Sequence, residues 1–477
     1  MNLLNRNRVN RNLVNRHARM VLAMLFVAAL STVAGSARAA TLPIQQVTGA
    51  SGIEAWLVED HSLPIVTLRF AFAGGAALDA PGKEGTAAMT AALLDEGAGP
   101  HDGIAFHRQL DELAVELSFT AGHDEFNGSL RVLKLNLAPT AELLRLALME
   151  PHFAAEPIER IRADTIAMLA RQERNPRSLA GRLWMRDAFE HHPYGKNAAG
   201  SAATVAAVAH ADFAGFASRQ FQRSRLVIGA VGAVTAGELS ALVDQVFGTL
   251  PQGDPPGDQP RRQTGGADVV ISQANPPERG ALIVSRTAVP QSAVTFGQAG
   301  PKRDDPDWYA ALVLNEILGG GGFRGRLMKE IREKRGLAYG VSTELVPYRH
   351  AGLILGSVAT ENGRVAESIG LIRQEWQRMR EEGPTEAELR DAQTYLTGSF
   401  PLGLDSTRRI AGLLVRMQVD RLGVDYLDRR AGLIGAVTLE EARAVARRLF
   451  DPTRLSFAVV GDPANLQPTR PAQDAPN

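Results

Sequence analysis

Cysteine is absent from all 477 residues. That excludes disulfides, a cysteine nucleophile, thiolate metal ligands and a lipid-modified N-terminal cysteine. Neither sign of charge is in excess, because 52 Lys and Arg balance 52 Asp and Glu. Nothing in the total therefore draws the chain to nucleic acid. Beyond the N-terminal region no apolar run approaches the ~20 residues that a membrane-spanning helix needs. Without disulfides, an exported chain must hold together through its core. At this length, with 45% hydrophobic residues, it can bury a large one.

Local charge is present where the total hides it. Met1–Arg19 contains Arg6, Arg8, Arg11, Arg16 and Arg19 and no acid. The apolar run Val21–Val33 follows, then Ala37-Arg38-Ala39 offers small residues at the positions a signal peptidase reads. Basic, apolar and small residues in that order predict a signal peptide over 1–39, cleaved near Ala39 and Ala40. The expected location is the bacterial periplasm, or beyond it, with no stable membrane anchor after cleavage. The alternative is an uncleaved N-terminal anchor, although the apolar run is short for a span.

Pro251–Gly266, PQGDPPGDQPRRQTGG, can form neither a helix nor a central strand. It is read as a linker between lobes at 40–250 and 267–462, and the Pro-rich tail 463–477 is read as disordered. Both lobes alternate strand pairs with helices. In the first, strands are predicted at Ile53–Glu59, Ile65–Ala71, Val115–Ala121, Glu125–Val132 and Arg225–Val231. In the second they fall at Ala281–Arg286, Val294–Phe296, Ala338–Leu345, Gly352–Ala359 and Leu455–Val460. Helices open at the capping-box spacings Thr235/Glu238 and Thr385/Glu388 and at Thr438. The expected class is α+β, with two related lobes of mixed or antiparallel sheet and helices.

The most telling segment is Gly85–Gly99, GTAAMTAALLDEGAG, whose helical turns offer no side chain able to hold a metal or act as a base. Other candidates are weak. His101 and His107 are six apart, a poor spacing for one helix face. His123-Asp124-Glu125 reads as a solvated turn or strand start, since strand neighbours point to opposite faces. Lys329, Arg332, Lys334 and Arg335 alternate with Glu330 and Glu333, which reads as a mixed-charge helix. No serine has the elbow context of a hydrolase nucleophile.

Leu318–Gly340, LGGGGFRGRLMKEIREKRGLAYG, closely resembles the second lobe of the pitrilysin-type (M16) zinc metallopeptidases, a family that includes the mitochondrial processing peptidases. Supporting matches are the opening Trp56-Leu57-Val58-Glu59-Asp60 with Pro64-Ile65-Val66, then Gly74-Gly75 with Asp79 and Gly85, His192-Pro193-Tyr194-Gly195, and the final Val459-Val460-Gly461-Asp462. The resemblance implies that active members carry His-x-x-Glu-His on a helix and a distant Glu. Two imidazoles one turn apart share a face with the third ligand, leaving an open position for water. With Gly85 as the anchor, those positions are Ala88, Ala91 and Ala92 here. The distant ligand falls within Thr165–Leu169, which has no carboxylate; Asp164 is near but alone. The resemblance therefore implies no catalytic residue and no metal in this chain.

The same resemblance assigns Arg335 and Tyr339 to a substrate-positioning pair that reaches toward the zinc site of a partner, and Gly319, Gly320, Gly321 and Gly322 to a substrate-admitting glycine-rich loop. A guanidinium can hold a peptide carboxylate or carbonyl, and a phenol can donate to an oxyanion. Structurally, Arg335 could instead pair with an acid such as Glu333 while Tyr339 packs into the sheet. Four glycines are costly to order, so mobility or close backbone approach is expected. The implied function is a non-catalytic subunit of a heterodimeric zinc metalloendopeptidase, with zinc in a partner carrying His-x-x-Glu-His and peptides as substrates. The alternative is a periplasmic peptide-binding or scaffold homodimer without a hydrolytic role.

Overall fold

Strand-forming sequence falls into two sets that assemble in the same order. The computed structural model describes residues 42–253, 271–274, 276 and 279–472. In the first half, β1 (Ile44–Thr48), β2 (Glu54–Glu59) and β3 (Ile65–Ala73) come first. A short ribbon of β4 (Gly97–Ala98) and β5 (His101–Asp102) follows, then β6 (Glu116–Ala121), β7 (Glu125–Leu133) and β8 (Leu226–Gly232). The second half contributes β9 (Leu282–Arg286), β10 (Gln291–Ala299), β11 (Ala338–Pro347), β12 (Gly352–Glu361) and β13 (Ser456–Gly461).

The first sheet runs β1-β2-β8-β3-β7-β6, and the second, read from its far edge, runs β9-β13-β10-β12-β11. Apart from the additional β1 the two orders correspond strand for strand. Each sheet has one parallel pair, β2 with β8 and β9 with β13, and is otherwise antiparallel. The expected α+β class, with two related units of mixed sheet, holds.

Burial patterns explain how the halves are joined. β7 alternates buried and half-buried residues, placing Phe126, Leu130 and Val132 on one covered face. β3 is covered on both faces. Its Val66, Leu68, Phe70 and Phe72 enter the first core, where Phe70 meets Phe247 at 5.1 Å between ring centroids. Its opposite face, with Thr67 and Ala71, is closed by the helix Thr407–Val419, which comes from the second half. Thr67 Oγ1 lies 2.8 Å from Thr407 Oγ1, and Gln418 Nε2 donates to the Ile228 carbonyl at 2.8 Å. Gly229 allows this approach: a Cβ there would stand 2.8 Å from the Ala411 carbonyl and 2.8 Å from Leu414 Cβ.

The exchange is reciprocal. Helix Pro176–Ala188, from the first half, packs on β10 and β13 of the second sheet. Trp184, 1% exposed, sits among Ala293, Leu353, Ala458 and Val460 and donates from Nε1 to the Ser456 carbonyl at 3.3 Å. One helix from each of the expected lobes, 40–250 and 267–462, therefore packs on the sheet of the other. Each sheet has two apolar faces, and neighbouring sequence covers only one of them.

One correction concerns the tail. Residues 463–472 pack rather than wander: Leu466 is buried, Thr469 N–H donates to the Leu282 carbonyl at 2.9 Å, and Arg470 pairs with Asp187. The edge of β9 supplies the Leu282 carbonyl, and helix Pro176–Ala188 supplies Asp187. The predicted signal segment, most of the predicted linker and residues 473–477 lie outside the described residues. Among the described residues, no helix is long and apolar enough to cross a membrane.

Candidate functional site: one feature in each half

The first feature is the helix Thr86–Leu93. Asp79 fixes its start, accepting from Gly85 N–H at 2.8 Å and Ala87 N–H at 3.0 Å. These donors favour the carboxylate, but burial outweighs them and pushes the Asp79 carboxyl up to about 7. Met89, Thr90 and Ala91 face the core, whereas Ala88 is half-buried and Ala92 exposed. Ala88 and Ala92 therefore mark the open face, one turn apart. Helix Ala155–Glu173 packs alongside and carries the stretch Thr165–Leu169, with Leu169 buried and Asp164 exposed.

The architecture of a two-turn metal face is present, but its side chains are methyl groups. Zinc does not fit these residues: no donor stands at 88, 91 or 92, and no carboxylate at 165–169. Among the described residues, no group of three His, Asp or Glu is arranged to hold a metal ion. The acids just past the helix are otherwise engaged. Glu96 faces Arg160 and lies 3.8 Å from His107 Nε2, and burial raises the Asp95 carboxyl.

The second feature begins where helix Trp308–Asn315 widens into π-helical turns over Glu316–Gly320, followed by a short 3₁₀ turn at Gly322–Arg324. Of the two expectations for Gly319–Gly322, close approach describes the first three positions, a Cβ on Gly321 standing 2.7 Å from the Glu316 carbonyl. A Cβ on Gly319 would lie 2.7 Å from Thr343 Oγ1, and one on Gly320 would lie 2.5 Å from Asn315 Nδ2.

Arg335 follows in the turn just after the π-helical segment Met328–Glu333, and Tyr339 lies on β11. Arg335 Nη1 donates to Glu330 Oε2 at 2.7 Å and to the Glu330 carbonyl at 3.0 Å. Its partner is therefore Glu330 and not Glu333, because π winding brings residues five apart together. Hydrogen bonds from Lys334 and Arg335 hold the Glu330 carboxyl below the usual carboxylate range. Tyr339 does not pack into the sheet. It sits where the β11–β12 register slips between Ala338 and Val341, and it is 88% exposed.

His123-Asp124-Glu125 is not a free solvated turn. Asp124 Oδ1 accepts from the Tyr194 hydroxyl at 2.5 Å, and Oδ2 accepts from Arg349 N–H at 2.9 Å. The Tyr194 oxygen in turn accepts from His350 N–H at 3.1 Å, and the ring stacks on Tyr348 at 4.6 Å. His192-Pro193-Tyr194-Gly195 thus ties the first half to the turn between β11 and β12. Two residues near Arg335 escaped the sequence reading, Phe323 and Arg332. The signal was an aromatic directly after the glycine run, and Arg332 was absorbed into the mixed-charge helix.

Residues 207–396 match the Peptidase M16 inactive domain family. A crystal structure of a peptidase M16 inactive domain from Pseudomonas fluorescens superposes with a TM-score of 0.80 at 29% identity, covering 89% of this chain and all of that one. The chain is therefore similar to the M16 peptidases, and in particular to their inactive domain. An uncharacterized zinc protease of Mycobacterium tuberculosis is 29% identical over 370 residues, 77% of this chain and 82% of its own length. A non-peptidase homolog of Helicobacter pylori is 24% identical over 405 residues, 85% of this chain and 90% of its own length. The chain has the α+β fold of the M16 inactive domain, with no metal donor at 88, 91 or 92.

Proposed function

We propose that this chain is the non-catalytic subunit of a heterodimeric periplasmic zinc peptidase. A partner of the same family would carry His-x-x-Glu-His and the distant Glu and would hold the zinc. The observation that carries the reading is a division within one chain. Where the family binds metal, Ala88, Ala91 and Ala92 offer nothing, yet Arg335 is held by Glu330 and Tyr339 is presented to solvent on a bulged edge strand. In this role the chain completes a peptide-sized chamber. Arg335 would hold a carboxylate or carbonyl of the peptide, and the Tyr339 hydroxyl would donate to the developing oxyanion at the partner's site.

The test is co-expression with an M16 chain that carries His-x-x-Glu-His, followed by peptide hydrolysis and light-scattering mass. Arg335→Ala or Tyr339→Phe should lower kcat/KM by about 10²-fold with the complex mass unchanged. Unchanged kinetics in both variants would remove the shared-site reading. A zinc-free homodimer that binds peptides and ignores every such partner would establish the scaffold alternative in its place.

A further inference from the structure

Three irregularities of the backbone converge on one face of the second half. Gly322, at φ 56°, is in the left-handed region and turns Phe323 outward to 63% exposure. The segment Met328–Glu333 is wound as a π-helix, a rare form often found at functional positions, and it carries Arg332. The register slip in β11 aims Tyr339 away from its sheet. The three side chains stack, with the Arg332 guanidinium carbon 4.5 Å from the Phe323 ring centroid and 4.9 Å from that of Tyr339. Such ordered exposure of two aromatic rings is unusual for a solvated surface.

Arg332 lacks a counter-ion. Its neighbours have theirs: Lys334 and Arg335 share Glu330, Arg324 takes Glu316, and Arg326 takes Glu388. Among the described residues, no carboxylate oxygen lies within 4.0 Å of the Arg332 guanidinium; its Nη1 is shielded from water without an acceptor, which leaves Nε and Nη2 as the donors a ligand can reach. Rings against a guanidinium hold its plane by cation–π attraction and leave the edge, where the N–H groups point, to an acceptor. The planar fork matches a carboxylate. Lys329 and Lys334, both exposed, add positive potential around it.

We propose that Phe323, Arg332 and Tyr339 form a recognition site for an acidic side chain, Asp or Glu, of a peptide. The inference rests on the reading that this face of the chain meets peptide, and it adds the chemical class of residue preferred there. The rings flank the carboxylate, and the guanidinium edge receives it.

The experiment uses the full mature chain alone and two fluorescently labelled peptides of about eight residues. They differ only in a central Asp or Asn, and fluorescence anisotropy reads their binding. The Asp peptide should bind at least about tenfold more tightly. Arg332→Gln should abolish that preference and Phe323→Leu should reduce it, with thermal unfolding of both variants unchanged. Equal binding of the two peptides, binding of neither at about 1 mM, or a preference that survives Arg332→Gln would overturn the proposal. No catalytic partner is present, so failure of the shared-site reading leaves this measurement interpretable, and failure here leaves that reading standing.

Discussion

The open faces of the two halves differ more than their sheets do. In the first half the helix Thr86–Leu93 presents Ala88 and Ala92, its N-terminal N–H groups are taken by a buried Asp79, and nothing on that face asks for a ligand. In the second half the corresponding helix loosens into π turns, Phe323 and Tyr339 stand in solvent, and polar atoms on Asn315, Arg332 and Thr343 are buried without partners. A repeated strand order thus supports one face whose open positions are methyl groups and another that presents aromatic rings and unpartnered polar atoms. The scaffold does not dictate which; the side chains placed on it do.

The largest test of that comparison attacks what the halves share. Trp184→Ala, in the helix lent to the second sheet, should cost about 3–5 kcal/mol in urea unfolding. Leu414→Ala, in the helix lent to the first sheet, should cost about 2–5 kcal/mol. Similar losses would show a symmetrical exchange. A loss in one alone would show that one half folds without its neighbour's helix.

Next comes the buried cap of the first half. The Asp79 carboxyl is raised from 3.8 to about 7 in the folded chain, so between those values the folded state holds a proton that the unfolded state has released. Stability should therefore fall as pH rises from about 4 to about 7, by on the order of 1.4 kcal/mol per pH unit. Asp79→Asn should flatten that slope in chemical unfolding. A slope that persists in the variant would place the titration elsewhere.

A smaller effect is expected from restoring donors to the blank face. Ala88→His with Ala92→His puts two imidazoles one turn apart, but Thr165–Leu169 supplies no third ligand. Zinc should bind weakly and be lost on dialysis, as elemental analysis would show. The least is expected from Arg335→Ala in the isolated chain. Arg335 is at the surface and Glu330 keeps Lys334 as a partner, so the loss should be about 1 kcal/mol, leaving Tm nearly unchanged.

Much of the framework is legible in the chain. The strands of both sheets follow their apolar runs, and Thr235 and Thr385 form the capping boxes that their spacing announces. The loss of metal donors at 88, 91 and 92 is likewise plain. Two kinds of feature were not readable. Helices Pro176–Ala188 and Thr407–Val419 carry apolar residues at helical spacing, but only the three-dimensional structure shows that each covers the other half's sheet. The Phe323–Arg332–Tyr339 stack depends on π winding and a register slip, and α-helical spacing rules anticipate neither. The same winding sent Arg335 to Glu330 instead of Glu333.

The lent helices also set an order of events during synthesis. The face of β3 and β8 that carries Thr67 and Gly229 stays uncovered until residues 407–419 have been made, almost two hundred residues after β8 is complete. Helix Pro176–Ala188 must likewise wait for β13, near the end of the chain, before its docking surface is whole. The nascent first half therefore emerges with one face of its sheet still bare, a surface exposed to aggregation until the later helix arrives.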